Sequence, residues 1–373
     1  MSVNSNSLVL LGVGDVGPIH EPMEAYSALA RPVLASADIR FAQCERVYSE
    51  RGALQVHSAG GHSRVKPPLA SVFTDCGFDV VSVASNHAMD WGEDALLDTI
   101  ALMESKGIKT AGGGRNLAEA RRPAIIEKKG IRVAFLAYCS ILNEGYAAGP
   151  NKPGIAPLRA HTYYRSVDYQ AGVPPKVVTI PYEEDLADMV SDIAAAKATA
   201  DAVIVSLHWG IHFVPRLIAD YQTTAAKAAF AAGADMILGH HAHAPKAIGV
   251  HGGKTCFYSL SNFMMSSTSK TPAAAVAFEK KYGVKLDPDY PHLAYGEDGK
   301  RSLIAKAVIT KAGVQKTSFL PVLIDKQLRP EVLKKGDARF DDAVRFMNWA
   351  SEDFDHRFVV EGDEVVVSGA APA

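Results

Sequence analysis

Three histidines stand within four positions, His240, His241 and His243 in "MILGHHAHAPK", and six of the chain's thirteen histidines lie between His208 and His251. An imidazole can bind a metal, carry a proton near neutral pH, or simply satisfy a turn. If the stretch is extended, side chains alternate, so His241 and His243 share one side and His240 takes the other.

Other metal-competent groups follow short apolar runs. Asp15 closes "LVLLGVGD", Glu45 closes "IRFAQCE", Asn86 and His87 close "DVVSVASNH", and His208 lies near the end of "AVIVSLHWG". Taken singly, each has an ordinary reading. Asp15 suits a glycine-rich turn, Glu45 could pair with Arg46 or Arg51, Asn86 could cap a helix, and His208 could be a core histidine beside Trp209. Their recurrence at strand ends is the signal, because α/β sheets bind ligands at the carboxyl edge of the strands. Carboxylates, an amide oxygen and imidazoles together suit Mn²⁺, Fe²⁺ or Zn²⁺ rather than Ca²⁺ or an all-thiolate site. Six candidate ligands exceed one tetrahedral ion, and a carboxylate can bridge two ions about 3.5–4 Å apart in a hydrolytic centre. One or two divalent ions are therefore expected.

The elements that must position these groups alternate strand-like runs with helical ones. "RVAFLAYCS" is another strand, residues 93–106 place Leu96, Ile100 and Met103 on one helical face, and residues 217–233 form an alanine-rich helix closed by Gly233. This rhythm predicts an α/β fold with much parallel pairing. Residues 140–183, rich in Pro, Gly and Tyr, read as a long folded-over loop and a candidate lid. After Phe263 a short helix near "AAVAFEKKYG", two β runs ("SLIAKAVITK", "TSFLPVLID") and a helix around "FDDAVRFMNWASEDF" form a C-terminal elaboration over 264–373. No linker divides the chain, so 1–373 reads as one domain, its only biased tract the tail "SGAAPA".

With 373 residues, 48% hydrophobic and 21% charged, the chain has ample core material. A formal net charge of −2 gives no basic field for nucleic acid. No run reaches the roughly 18 apolar residues of a membrane helix, and the start lacks the pattern of a signal peptide. Cys44, Cys76, Cys139 and Cys256 are widely spaced and suit reduced thiols in a cytoplasm.

With these residues in place, the chain resembles the CapA family, named for a poly-γ-glutamate capsule protein, over about residues 8–263. The resemblance rests on "GDV" (14–16), "FAQCE" (41–45), "VASNHAMDWG" (83–92), "LHWG" (207–210), "GADMILGHHAH" (233–243) and "YSLSNF" (258–263). It implies a calcineurin-like metallophosphoesterase fold, a four-layer α–β–β–α sandwich with mixed sheets. Asp15, Glu45, Asn86, His208, His241 and His243 match the family's metal-ligand positions. His87 matches a general acid near the leaving group, and Asp90 would orient it. The family's G-x-H-x-H leaves His240 at a variable position, an expected bystander. Three departures stand out. The wider superfamily opens with D-x-H, but Val16 and Gly17 follow Asp15. Gln43 and Cys44 precede Glu45 where the family has N-L. His212 replaces the glutamate of H-W-G-x-E and offers a further ligand or acid/base group.

The function these features imply is a metal-dependent hydrolase that uses an activated water on a phosphoester or amide-type bond of a small anionic molecule or polymer end. Arg115, Arg159, Arg216 and Lys246 are the cations nearest the motifs and the candidates for holding such a substrate. The competing expectation is a non-hydrolytic binding or assembly factor for an anionic polymer such as poly-γ-glutamate. Nucleic acid is not expected as a partner, nor is a membrane anchor; a homo-oligomer is compatible with the sequence.

Overall fold

The structure, a computed structural model, describes residues 7–58 and 63–370. The last residues of the alanine-rich tail, 371–373, lie outside the described residues. Two β-sheets form the centre. The strands that reach the candidate site are β1 (Leu8–Gly17), β2 (Ile39–Cys44), β3 (Val80–Ser82), β4 (Ala202–His208), β5 (Met236–His240) and β6 (Asn262–Met265). Among the described residues, β1, β2, β3 and β6 belong to a ten-stranded mixed sheet, and β4 and β5 to a six-stranded one. Pairing is parallel for β1–β2, β2–β3, β1–β6 and β4–β5, as the alternation of strands and helices predicts.

The sheets face each other. Met236 and Leu238 of β5 join the core between them, together with Leu8, Leu10, Phe41 and Ile204. Ile237 points the other way, into a second core with Val203 and Val205. That second core is closed by Met189 and Ile193 of the helix Glu183–Lys197 and by Ala225, Ala229 and Phe230 of the helix Asp220–Ala232. Gly233 ends the latter in the left-handed conformation (φ 116°), as the sequence pattern indicates. Met23, Phe73, Leu96 and Met103 bring three further helices onto the first sheet. The layers are thus helix, sheet, sheet, helix, and the fold is the expected α–β–β–α sandwich.

One region departs from the sequence reading. Residues 140–183 are not an open loop throughout: Ala160–Arg165 and Lys176–Pro181 pair as an antiparallel hairpin. Its second strand docks on the helix Asp220–Ala232, where Thr179 Oγ1 accepts the Tyr221 N–H at 3.1 Å. The C-terminal elaboration after 264 adds strands to the first sheet. Arg301–Thr310 pairs antiparallel with β1 from Leu8 to Gly12, and Gly313–Ile324 pairs with Arg301–Thr310. At Gly14 the chain bends so close to the segment before β6 that an added Cβ would lie 1.9 Å from the Ser261 carbonyl oxygen. Only glycine fits, and the Asp15 N–H donates to that same oxygen at 2.9 Å.

Candidate metal centre

The carboxyl edges of the two sheets meet where Asp15, Glu45 and His208 converge. One ligand atom from each lies within 4.8 Å of the others, and all three residues are buried. Their polar atoms are unsatisfied: both Asp15 oxygens, Glu45 Oε1, His208 Nδ1 and His241 Nδ1 are buried without a hydrogen-bond partner. Buried polar atoms are rarely left so. The His208 Nδ1–Glu45 Oε2 separation of 3.6 Å approaches the ~3.4 Å expected between two ligands held ~2.1 Å from a tetrahedral ion. His243 lies beside the other carboxylate, its Nδ1 3.5 Å from Asp15 Oδ2. The donor set and its orphaned atoms therefore fit a divalent cation.

Electrostatics point the same way. Burial, then the neighbouring Asp15, push the Glu45 carboxyl well above its usual range. Burial and the surrounding imidazoles hold His208 and His241 well below the usual histidine range. His243 is pushed down to about 3, mainly by burial, with Asp15 opposing. His212 is pushed down to about 4 by burial. Neutral imidazoles keep their lone pairs available to a cation, and a cation bound there would offset the crowding that raises Glu45 and favour its carboxylate, since ligands must be deprotonated.

Around this core lie groups that orient it. His208 Nε2–H donates to Asn86 Oδ1 at 2.7 Å, which leaves Nδ1 to face Glu45. Ser85 Oγ donates to Glu45 Oε2 at 3.1 Å. His243 Nδ1–H donates to Asn262 Oδ1 at 2.8 Å, and the amide of Asn262 donates to the carbonyls of Gly299 and His243. Such outer partners fix ring orientation in metal sites. Asn262 sits in the quoted "YSLSNF" stretch but carries no metal-ligand pattern, so no role for it is legible before folding. At the open edge, His87 keeps 21% side-chain exposure, and its Nδ1–H donates to Asp90 Oδ2 at 2.7 Å. Tyr146 OH donates to the other Asp90 oxygen at 2.9 Å. Burial raises Asp90, but hydrogen bonds from His87, Ser63 and Tyr146 and the charge of His87 outweigh it and hold the carboxyl below its usual range. The 140–183 stretch thus touches the site through Tyr146.

His212 lies inside the cluster, its ring 4.0 Å from His241 and 5.6 Å from His243. Tyr295 stacks on His243 at 4.2 Å. Phe213 stacks on His212 and is flanked by Phe278 and Tyr282 of the helix Pro272–Tyr282. Apart from Phe213, the aromatic wall of the site is therefore drawn from chain beyond residue 264.

Two expectations change. His240 is no bystander turned away: its ring faces Asp15, Nδ1 to Oδ1 3.4 Å. The alternation rule presumed an extended chain through 243, whereas His241 (φ 86°) and His243 (φ 52°) are left-handed, so direction must be counted from within β5. The four candidate substrate cations are engaged elsewhere. Arg115 pairs with Glu119 at 2.8 Å, Arg159 with Asp185 at 2.7 Å, and Arg216 with Glu352 at 2.8 Å and Asp353 at 2.9 Å. Lys246 is buried, and its amine donates to the carbonyls of Val214 and Leu217, bracing the loop that carries His212. The missing histidine of the first motif also has a structural counterpart. A Cβ on Gly17 would lie 2.9 Å from Arg46 Cγ, so the arginine stem fills that space.

Fold and site together define an α/β sandwich with a carboxylate–imidazole centre between its sheets. The chain belongs to the family described as bacterial capsule synthesis protein PGA_cap, whose model matches residues 12–267. It is 31% identical over 225 residues to the PGA biosynthesis protein CapA of Bacillus subtilis, covering 59% of this chain and 52% of that one. It is 31% identical over 205 residues to a "probable polyglutamine synthesis accessory protein" of Mycobacterium tuberculosis, covering 52% and 47%. The chain thus spans about half the length of the curated relatives it matches. Among solved structures it is similar to a calcineurin-like phosphoesterase of Bacillus subtilis, with a TM-score of 0.41, 13% identity, and 84% and 90% of the two chains covered. That likeness is too remote to carry function. No helix among the described residues is long and apolar enough to cross a membrane.

Proposed function

We propose that this chain is a divalent-metal-dependent hydrolase acting on a phosphoester or amide-type bond of a small anionic substrate or polymer end. Asp15, Glu45, Asn86, His208, His241 and His243 are the residues that would hold one or two ions, Mn²⁺, Fe²⁺ or Zn²⁺. An ion bound there supplies Lewis acidity and makes a coordinated water more acidic. The carrying observation is the His87–Asp90–Tyr146 chain at the open edge of the cluster. Asp90 accepts from Nδ1–H of His87, so a proton given to a leaving oxygen or nitrogen would come from Nε2 of the doubly protonated ring. Tyr146 fixes Asp90 from behind. A site that only bound an anion would have no use for an oriented proton donor. His212, uncharged at neutral pH, can accept a proton or add a ligand, and the aromatic wall beside it excludes water. The stretch 140–183 serves as a partial lid through Tyr146. The four free, buried cysteines support a reducing, cytoplasmic setting.

A second reading has its own support in the relatives' names: a non-hydrolytic accessory factor that holds poly-γ-glutamate. Metal analysis of the purified protein, joined to a screen of phosphoester and γ-glutamyl amide substrates, separates the two. The hydrolase reading expects bound transition metal and a turnover lost in Asp15→Asn and His87→Ala. Turnover that is absent, or unchanged by both substitutions, sinks it.

A further inference from the structure

His240 is the one buried histidine of the cluster that the family pattern leaves unassigned. We propose that His240 is itself a metal ligand, paired with Asp15 across the gap between the sheets and opposite the Glu45–His208 pair. The inference rests on the metal-binding reading given above.

Its direction is fixed twice over. Met236 and Leu238 of β5 face the core between the sheets while Ile237 faces the outer core, so alternation sends residue 240 inward. A Cβ on Gly12 of β1 would meet Leu238 Cδ1 at 2.8 Å, which places that inward face directly against β1. His240 is also in register with His208 on the parallel neighbour β4, so the two imidazoles share a face. One lies against Glu45 and the other against Asp15.

Its chemistry is unmet. The residue is fully buried, and neither Nδ1 nor Nε2 has a hydrogen-bond partner. A histidine kept only for packing normally finds at least one partner, because an unpaired buried polar atom loses its hydration for nothing. Here its neighbours include the tilted ring of Phe41, 5.9 Å between ring centroids, and the equally orphaned carboxylate of Asp15. The Nδ1–Oδ1 distance of 3.4 Å matches the edge between two ligands of one tetrahedral ion, about 3.4 Å for bonds near 2.1 Å. With His243 at 3.5 Å on the other oxygen, Asp15 is flanked by two imidazoles. Arg46 closes the space at Gly17, so the first strand cannot place an imidazole at residue 17, and β5 supplies one from the facing sheet.

The test uses the whole chain, stripped with chelator and titrated calorimetrically with Mn²⁺ or Zn²⁺ alone, as wild type and as His240→Ala. Loss of a mere orienting partner costs metal affinity about 10–100-fold. Removing His240 is expected to abolish at least one binding event or weaken it more than about a hundredfold, with the melting temperature in chelator showing that the variant is folded. A smaller loss marks an orienting role and overturns the proposal. Wild-type stoichiometry and affinity in His240→Ala overturns the proposal and leaves the hydrolase reading standing. A wild type that binds neither metal overturns both. Should the variant not fold, anomalous scattering from metal-loaded wild-type crystals decides: an ion about 2.1 Å from a His240 nitrogen is expected, and none in bonding contact with that ring refutes it.

Discussion

The two carboxylates at the heart of the site set up a trade between stability and metal binding that Glu45→Gln should expose. Glu45 and Asp15 are buried and offer oxygens within 4.8 Å of each other. Two unit charges at that separation repel by about 3.5 kcal/mol at an effective dielectric of about 20. Glutamine keeps the shape and can still accept from Ser85, but removes one charge. At about 2.1 cal/mol/K per residue, a chain of this length unfolds with about 0.8 kcal/mol/K, so ~3 kcal/mol is a shift of about 4 °C. In chelator, at a pH above the raised Glu45 value, Glu45→Gln should therefore melt about 4 °C above wild type. The order should reverse in metal. Wild type at a thousandfold excess over Kd gains about 4 kcal/mol, and a variant missing a central ligand gains little. The chelator advantage should also depend on pH. Burial and Asp15 raise the Glu45 carboxyl, so the folded state binds its proton more tightly than the unfolded chain. Wild type then loses stability as pH rises from the ordinary carboxyl range toward the raised value, and the variant does not. Scanning calorimetry with chelator and with Zn²⁺ or Mn²⁺ reads all of this. A Glu45→Gln protein that melts below wild type in chelator, or shows the full metal-induced shift, would refute the reasoning.

Three further outcomes follow from neighbouring contacts. Tyr146→Phe deletes one hydrogen bond to the Asp90 carboxylate, a loss of about 1.5–3 kcal/mol; turnover should fall roughly tenfold or more while metal content by mass spectrometry stays at wild type. Asn262→Ala frees the Nδ1 side of His243 and should weaken metal binding about 10–100-fold in a calorimetric titration. Burial pushes the Lys246 amine down to about 7, whereas the unfolded chain holds that proton to about 10.4. The folded protein therefore binds fewer protons between those values, and its stability rises with pH across that window. The melting temperature of wild type minus that of Lys246→Met should grow from pH 7 to pH 9, and a flat difference contradicts it.

Much of the site could be read from the chain because strands end where chemistry is done. Asp15, Glu45 and His208 each close an apolar run, and the structure brings those three within 4.8 Å of one another. The Asp90–His87 pairing comes from the family resemblance, and the two side chains meet at 2.7 Å. What escaped the sequence depends on three-dimensional neighbours. Alternation counted through His241 and His243 misplaces His240, because their left-handed backbones break it. Counted from Leu238, the same rule succeeds. The four cations are near the motifs in sequence, but ion pairs with distant partners such as Asp185 and Glu352 decide where they stand. Tyr295 and Tyr282 lie in a segment with no motif, and only folding carries them to His243 and His212.

The pairing of β1 with Arg301–Thr310 bears on how the protein is made. Leu8 finds Ile309 as its partner, about 300 residues downstream, and the stretch matched by the family model stops at 267. At about 5–20 residues per second on the ribosome, the apolar run "LVLLGV" waits some 15–60 s for that neighbour. Until then one side of the strand bearing Asp15 is an unpaired edge, open to mispairing. Newly made chains should lean on chaperones during that interval, and a fragment ending at 267 would keep every proposed ligand yet lack the strand that holds the first of them in line.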